Sequence, residues 1–469
     1  MRGIAFVGCV GLVACGGPAD KAAAESDADT SAVGPVDWTR GAVPTGELGE
    51  VRGKLTRRGI VHLHSPWSHD ACDGDGIIDG APDPDCLADL RAGLCDAGID
   101  VAWLTDHPAH AAEQPYAERL HVREGTDRWL AVDGVPEAAA VWTCEDGRGV
   151  VIRPGYEDTL MPLGMVAPLH DDRSTEDTIA NDDSAESIAI MRSAGALVAV
   201  AHTEGRDDDW LARVVADGVG AVELVNLHAA FDPRIRQEDL GLDGVDWLQR
   251  IGPFTDAAAA AQPDLMVLAV LAHQPPSLAR WDALTMAGHH VVATAGTDAH
   301  QNVLPTEFPD GERGDSYRRM LRWWTHHIRV SPGDADDPAA LQDALAAGHF
   351  TVVAEVLGTP LGFDVWLETD AGDTVETGGT GGSGRLNVSC PTLAAGSPDG
   401  DKEPEITVTV IKDGAVWASG CGAHSTDGAG VYRVQVEVVP WHLERFLGAD
   451  AADWMTAYPW IYSQAIRVE

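Results

Sequence analysis

The sequence predicts an α/β chain in which parallel β/α units approach a closed barrel, followed by a small β-sandwich-like domain. Three observations carry this expectation. Between about residues 55 and 350, short β-branched runs alternate with stretches whose apolar residues recur at helical spacing, the pattern of parallel β/α units. Histidines and carboxylates stand just past several of those runs, where a β/α barrel collects its chemistry. After about residue 355 the pattern changes to period-2 alternation broken by Gly, Thr and Asp.

Composition removes several function classes. The chain has 469 residues, which allows two or three domains and a large apolar core. With 32 Lys+Arg against 74 Asp+Glu the formal charge is −42, so a face that tracks a phosphate backbone is excluded and no nucleic-acid partner is expected. Lysine occurs only at Lys21, Lys54, Lys402 and Lys412, none beside a strong motif, which leaves a Schiff-base mechanism little to use. No GxxxxGK[ST], complete GxGxxG or GxSxG is present, against phosphate-loop, dinucleotide and serine-hydrolase chemistry. The 18 histidines stand out in so acidic a chain.

The N-terminus reads as an address. Arg2 precedes the apolar run 4–14, the length of a signal-peptide core and too short to span a bilayer. The run ends in Leu12-Val13-Ala14-Cys15, which resembles a bacterial lipobox; residues 1–15 are read as a lipoprotein signal with Cys15 as the lipidated residue. Residues 16–50, rich in Ala, Gly, Asp and Ser, read as a flexible tether. The expectation is an exported protein, anchored to a membrane by lipid at the periplasmic, outer-membrane or cell surface. Beyond Cys9 and Cys15 an even set remains: Cys72, Cys86, Cys95, Cys144, Cys390 and Cys421. In an oxidising compartment disulfides are expected, Cys390 with Cys421, with the pairing of the other four left open.

Along the first domain, residues 55–352, the strand candidates are 59–63, 99–104, 149–152, 197–201, 219–225, 265–271 and 290–295. Helical spacing marks 87–97, 185–194, 209–216, 277–287 and 315–328. Just past the strands come His62 and His64 in VHLHSPWSHD, Asp106 and His107 in WLTDH, Glu157 in IRPGYED, His202 in VAVAH, and Asp298 with His300 in TAGTDAH. In a parallel β/α arrangement these positions converge on one mouth. His62 and His64 stand at i and i+2, so on a strand both project to one face. Imidazole and carboxylate together suit zinc, manganese or iron. One such histidine would read as structural; the repetition along the chain does not.

In their order, HLHSPWSHD, LTDH, RPGYE, VAVAH and GTDAH resemble the motifs of the PHP superfamily, the polymerase and histidinol phosphatase domain. The resemblance covers roughly residues 55 to 350 and implies a distorted seven-stranded, TIM-like β/α barrel holding two or three divalent ions. It implies a first ion on His62, His64, Glu157 and Asp298, a second on Glu157, His170 and His202, and a third on Asp70, His107 and His300. The insertion SHDACDGDGIIDG and the ending YPWIYSQAIRV are similar to secreted members of the carbaryl-hydrolase-like branch, which implies hydrolysis of ester, carbamate or phosphoester bonds.

The expected chemistry is metal-assisted hydrolysis of a small molecule, an ester or phosphoester. Divalent ions lower the pKa of a bound water from ~16 toward neutrality, so no protein nucleophile is needed. Asp106 is expected to orient a ligand. His69, His110 and His228 are candidate proton donors, and the acid is left unassigned. A metal-binding surface protein without turnover is the alternative function. Asp73, Asp75, Asp79 and Asp83, interleaved with glycines, form a candidate calcium loop without the final glutamate of an EF-hand; a solvated acidic loop is the other reading. The second domain, residues 355–469, carries strand candidates 362–367, 385–389, 405–411 and 431–438. Trp323, Trp324 and Trp441 read as packing aromatics or substrate-facing ones.

Overall fold

The computed structural model describes residues 38–469, apart from the side chain of His228; the signal, Cys15 and most of the tether lie outside the described residues. Acidic residues begin many of its helices. The carboxylates of Asp83, Asp172, Asp207, Asp232 and Asp337 each accept a backbone N–H in the first turn of the helix that follows. Such caps satisfy donors that a helix start leaves unpaired and favour its positive end. Part of the chain's negative charge is spent this way, on helix starts rather than on binding.

The strands that carry the sequence motifs are β1 (Lys54–Leu63), β2 (Val101–Leu104), β3 (Gly149–Pro154), β4 (Met161–Leu163), β5 (Leu197–Val200), β6 (Ala221–Asn226) and β7 (Val292–Gly296). β1, β2 and β3 pair in parallel, as do β5, β6 and β7, and β4 lies antiparallel to β5. Near-continuous apolar runs are required of strands covered on both faces: β2, β6 and β7 are buried throughout. Two isolated bridges join the two parallel groups, Leu63 with Ala299 and Gly155 with Leu163.

The large sheet does not stop at residue 352. β8 (Thr325–Val330) lies antiparallel to β1, and β9 (Phe350–Val353) antiparallel to β8. β9 then pairs with Tyr458–Ser463, and that strand with Gly430–Val439, which also takes Glu405–Lys412. A separate four-stranded sheet holds Thr374–Glu376, Asp364–Thr369, Gly384–Ser389 and Gly422–Ser425. Val365, Leu367, Leu386 and Val388 of that sheet share one apolar core with Val408 and Val410.

Two predicted elements differ. Residues 265–271 form no strand: Pro263–Ala269 is a 3-10 helix with a proline in its first turn, buried all round. An apolar run of this length reads alike for a buried strand and a buried helix, and the proline decides. The helix expected over 315–328 is only Tyr317–Met320; β8 follows, because Thr325, Ile328 and Val330 are β-branched, Ile328 and Val330 pairing with β1 and Thr325 with Val353 of β9. Disulfides form between Cys72 and Cys86, Cys95 and Cys144, and Cys390 and Cys421. Trp323 and Trp324 are buried in the core.

Candidate metal centre

The C-terminal ends of the parallel strands bring the sequence motifs together. His62 and His64 leave β1, His107 follows β2, Glu157 follows β3, His202 follows β5, and Asp298 with His300 follows β7. The backbone bends hard at three of these residues: His62, His202 and Asp298 hold φ of 64°, 53° and 50°. Non-glycine residues occupy this left-handed region at a cost that surrounding structure must offset, and such residues cluster at functional sites.

Among the described residues, three sets of ligand-type atoms that include histidines lie within 4.8 Å of one another: His62, His64 and Asp298; His62, Glu157 and His202; His64, Asp70 and His107. They overlap through His62 and His64. Asp298 Oδ1 lies 3.1 Å from His62 Nε2 and 3.2 Å from His64 Nε2. Both Nε2 atoms are fully buried and make no hydrogen bond. Buried polar atoms are nearly always satisfied, so two imidazole nitrogens converging unbonded on one carboxylate fit a cation between them. Glu157 reaches two ways, Oε2 at 3.0 Å from His107 Nδ1 and Oε1 at 3.6 Å from His202 Nε2. Asp70 Oδ2 is 3.3 Å from His107 Nε2.

Without a cation, protons balance the carboxylates. Burial opposes the charge on His107, but Asp70 and Glu157 hold it up at about 10. Burial likewise opposes His202, and Glu204, Asp298 and Glu157 raise it to about 9. His62 is raised too, burial being outweighed by Asp298 and Glu223. His64, for which burial wins, falls to about 4. Burial alone would raise Asp298, yet His62 and His300 hold it well below the usual carboxylate range. Burial raises Glu157.

The expected ligand sets regroup. Asp70 and His107 gather around His64, while His300 stands beside Asp298 with Nε2 3.6 Å from Oδ1. His170 is not brought to the cluster: it is exposed, and its Nδ1 accepts the backbone N–H of Asp172. Asp106 holds Ser65 by both the backbone N–H (2.5 Å) and the hydroxyl (2.7 Å), directly after His64. Burial lifts this carboxyl to about 6. The His69 ring lies 4.5 Å from that of His107 and 6.2 Å from that of His110.

In the acidic loop, Asp73 is held by Arg313 through two contacts of 2.9 Å and Asp83 caps a helix. Asp75 and Asp79 are exposed. These four aspartates form no ligand group among the described residues.

Sequence reasoning missed Glu223 and Glu204. Glu223 is fully buried with Oε1 2.7 Å from His62 Nδ1, and Glu204 Oε1 is 3.2 Å from His202 Nδ1. The signal for Glu223 was present: an acid inside the apolar strand run VELV cannot stay buried without partners.

No family model and no curated protein matches the chain. A solved structure from Bacteroides vulgatus, described as a two-domain protein containing a predicted PHP-like metal-dependent phosphoesterase, is similar at 9% identity. The match covers 88% of this chain and 96% of that one at a TM-score of 0.34, a likeness that carries no argument about this protein.

Proposed function

We propose that the chain is a PHP-type metal-dependent hydrolase of small ester or phosphoester substrates, working from a β/α barrel whose mouth is the histidine cluster. The observation that carries this reading is the convergence of His62, His64, Asp298, Glu157, His202, Asp70 and His107 into three overlapping ligand groups. The two bridges between the parallel strand groups favour closure into a barrel. Divalent ions, with Zn, Mn or Fe the suitable choices for this donor set, would supply Lewis-acid activation of water and of the ester oxygen under attack.

The residues would divide the work as follows. His62, His64 and Asp298 would hold one cation, with Glu157 and His202 reaching toward a second beside it and Asp70 and His107 toward a third, the single free Nε2 of His62 and of His64 serving one ion each. Ser68 orders the last group: its hydroxyl donates to Asp70 Oδ1 at 2.9 Å and stands 2.9 Å from His64 Nδ1. Asp106 fixes the turn after His64 through Ser65. His69, exposed and close to His107, is placed to hand a proton to a leaving group. Residues 55–352 form the hydrolase domain in this reading and 355–469 a β-rich companion. Export as a lipoprotein at Cys15 belongs to the same proposal, and the three disulfides suit an oxidising compartment.

Two measurements test the reading. Elemental analysis of residues 35–469 should find divalent metal at one ion per chain or more, and His62→Ala with His64→Ala should remove it. Aryl phosphate mono- and diesters assayed beside aryl esters and carbamates, with added Zn²⁺ or Mn²⁺, should reveal one favoured class. Absence of metal-dependent turnover on every class would sink the hydrolase reading.

A further inference from the structure

We propose that Glu223 is the positioning residue that sets the metal-binding form of His62 and ties it to His202; this rests on the metal-centre reading above. Glu223 sits mid-strand on β6, fully buried. One carboxylate oxygen, Oε1, lies 2.7 Å from His62 Nδ1. The other, Oε2, accepts the backbone N–H of His202 at 2.7 Å and the side-chain amide of Asn226 at 3.0 Å.

A carboxylate only accepts, so the proton between it and the ring belongs on His62 Nδ1. That leaves Nε2 with its lone pair on the side of His64 and Asp298, where a cation would sit. The same group pins the His202 backbone at its left-handed φ of 53°. His202 lies in a candidate group with His62 and Glu157, so a single buried acid positions two neighbouring members of the cluster.

The fold defends this placement. A Cβ on Gly296 would stand 2.1 Å from Glu223 Oε1 and 3.0 Å from Asn226 Nδ2. The glycine of the TAGTDAH motif therefore leaves room for the Glu223 carboxylate, two residues before Asp298.

Glutamine is nearly isosteric, yet it cannot satisfy all three donors. With its oxygen kept toward His202 and Asn226, its NH₂ faces His62 Nδ1, which must then accept, and the ring proton moves to Nε2. With the amide reversed, two donors face two donors. The first arrangement puts the ring proton on Nε2 and opposes a cation there; the second keeps Nε2 open but sets the NH₂ against the donors of His202 and Asn226, so the first is favoured.

The test uses Zn²⁺ titration of the metal-stripped full chain, with folding followed by circular dichroism and the His62 ring by long-range ¹H–¹⁵N NMR of the Zn²⁺-loaded protein. Wild type should bind Zn²⁺ with His62 protonated at Nδ1 and metal-shifted at Nε2. Glu223→Gln should bind the ion that His62 ligates roughly 10- to 100-fold less tightly and lose that ring signature. Gly296→Ala, which pushes the carboxylate aside without removing it, should do the same and serves if the glutamine variant fails to fold. A folded variant with wild-type Zn²⁺ affinity and an unchanged His62 signature overturns the role of Glu223. A wild type that binds no Zn²⁺ overturns the metal centre instead.

Discussion

Among the described residues, acidic side chains that bring their oxygens within 4.8 Å of one another or of histidine nitrogens meet two opposite kinds of partner. Around Asp298 and Glu157 the partners are imidazoles. Around Asp264, with Asp310 and Glu312 beside it, they are guanidinium groups: Arg318 contacts Asp264 at 2.6 Å and 2.9 Å, Arg319 at 2.5 Å, and Trp38 donates at 2.7 Å. Arginine cannot give up its charge, so the Asp264 cluster is permanently compensated. Histidine can, and its nitrogens then become ligands. A cluster of acids alone is therefore no cation site; what decides is whether the positive partner can leave its place to a metal.

The largest effect that separates the two is loss of metal. Asp298→Ala should remove at least one ion per chain by elemental analysis and lower kcat/KM on the favoured substrate by on the order of 10³-fold. Asp264→Ala should leave metal content unchanged. It should instead destabilise the fold by about 3–5 kcal/mol in a denaturant titration, because buried Arg318, Arg319 and Arg322 lose their shared counter-charge. Equal metal loss in both variants would dissolve the distinction.

Acidity should pull the two clusters apart as well. His107 and His202 have folded values of about 10 and about 9, above their ordinary 6.5. In metal-stripped protein their contribution to stability is complete below about pH 6.5 and is lost as pH rises through 9 to 10. Asp264 is held well below its ordinary 3.8 by the arginines, burial notwithstanding. Its contribution is present above pH 3.8 and is lost on acidification below it. Metal binding must displace the histidine protons, so Zn²⁺ affinity should fall as pH falls, with proton release visible by calorimetry in buffers of different ionisation enthalpy. A pH-independent affinity would contradict the proton-filled cluster. The smallest effect is expected at His170: His170→Ala should leave metal content unchanged and alter stability by no more than about 0.5 kcal/mol, as for other surface positions.

Much of the candidate site was legible because it is written in short motifs at strand ends. HxH, TDH, AH and TDAH each place a ligand type immediately after an apolar run, and strand direction does the rest. Glu157 was readable for the same reason. His170 was misplaced because seven residues after β4 no local pattern fixes where the loop carries a side chain. Glu223 escaped because the histidines it touches are distant in the chain, 161 residues away for His62 and 21 for His202, whereas Glu204 stands only two residues from His202 and shows its role once the loop turns it onto that ring.

Local patterns in the chain already carried the alternation of strands and helices, most of the histidines and carboxylates that gather at the strand ends, and the pairing of Cys390 with Cys421. Those follow from periodicity, spacing and residue chemistry, which are local properties. The tertiary structure decided how the ligands group, with His64 shared between Asp298 and His107. It also decided which acids are neutralised by arginine, and that the large sheet runs on past residue 352 through β9 to Tyr458–Ser463. Each of these depends on which distant segments meet, and only the packed chain fixes that.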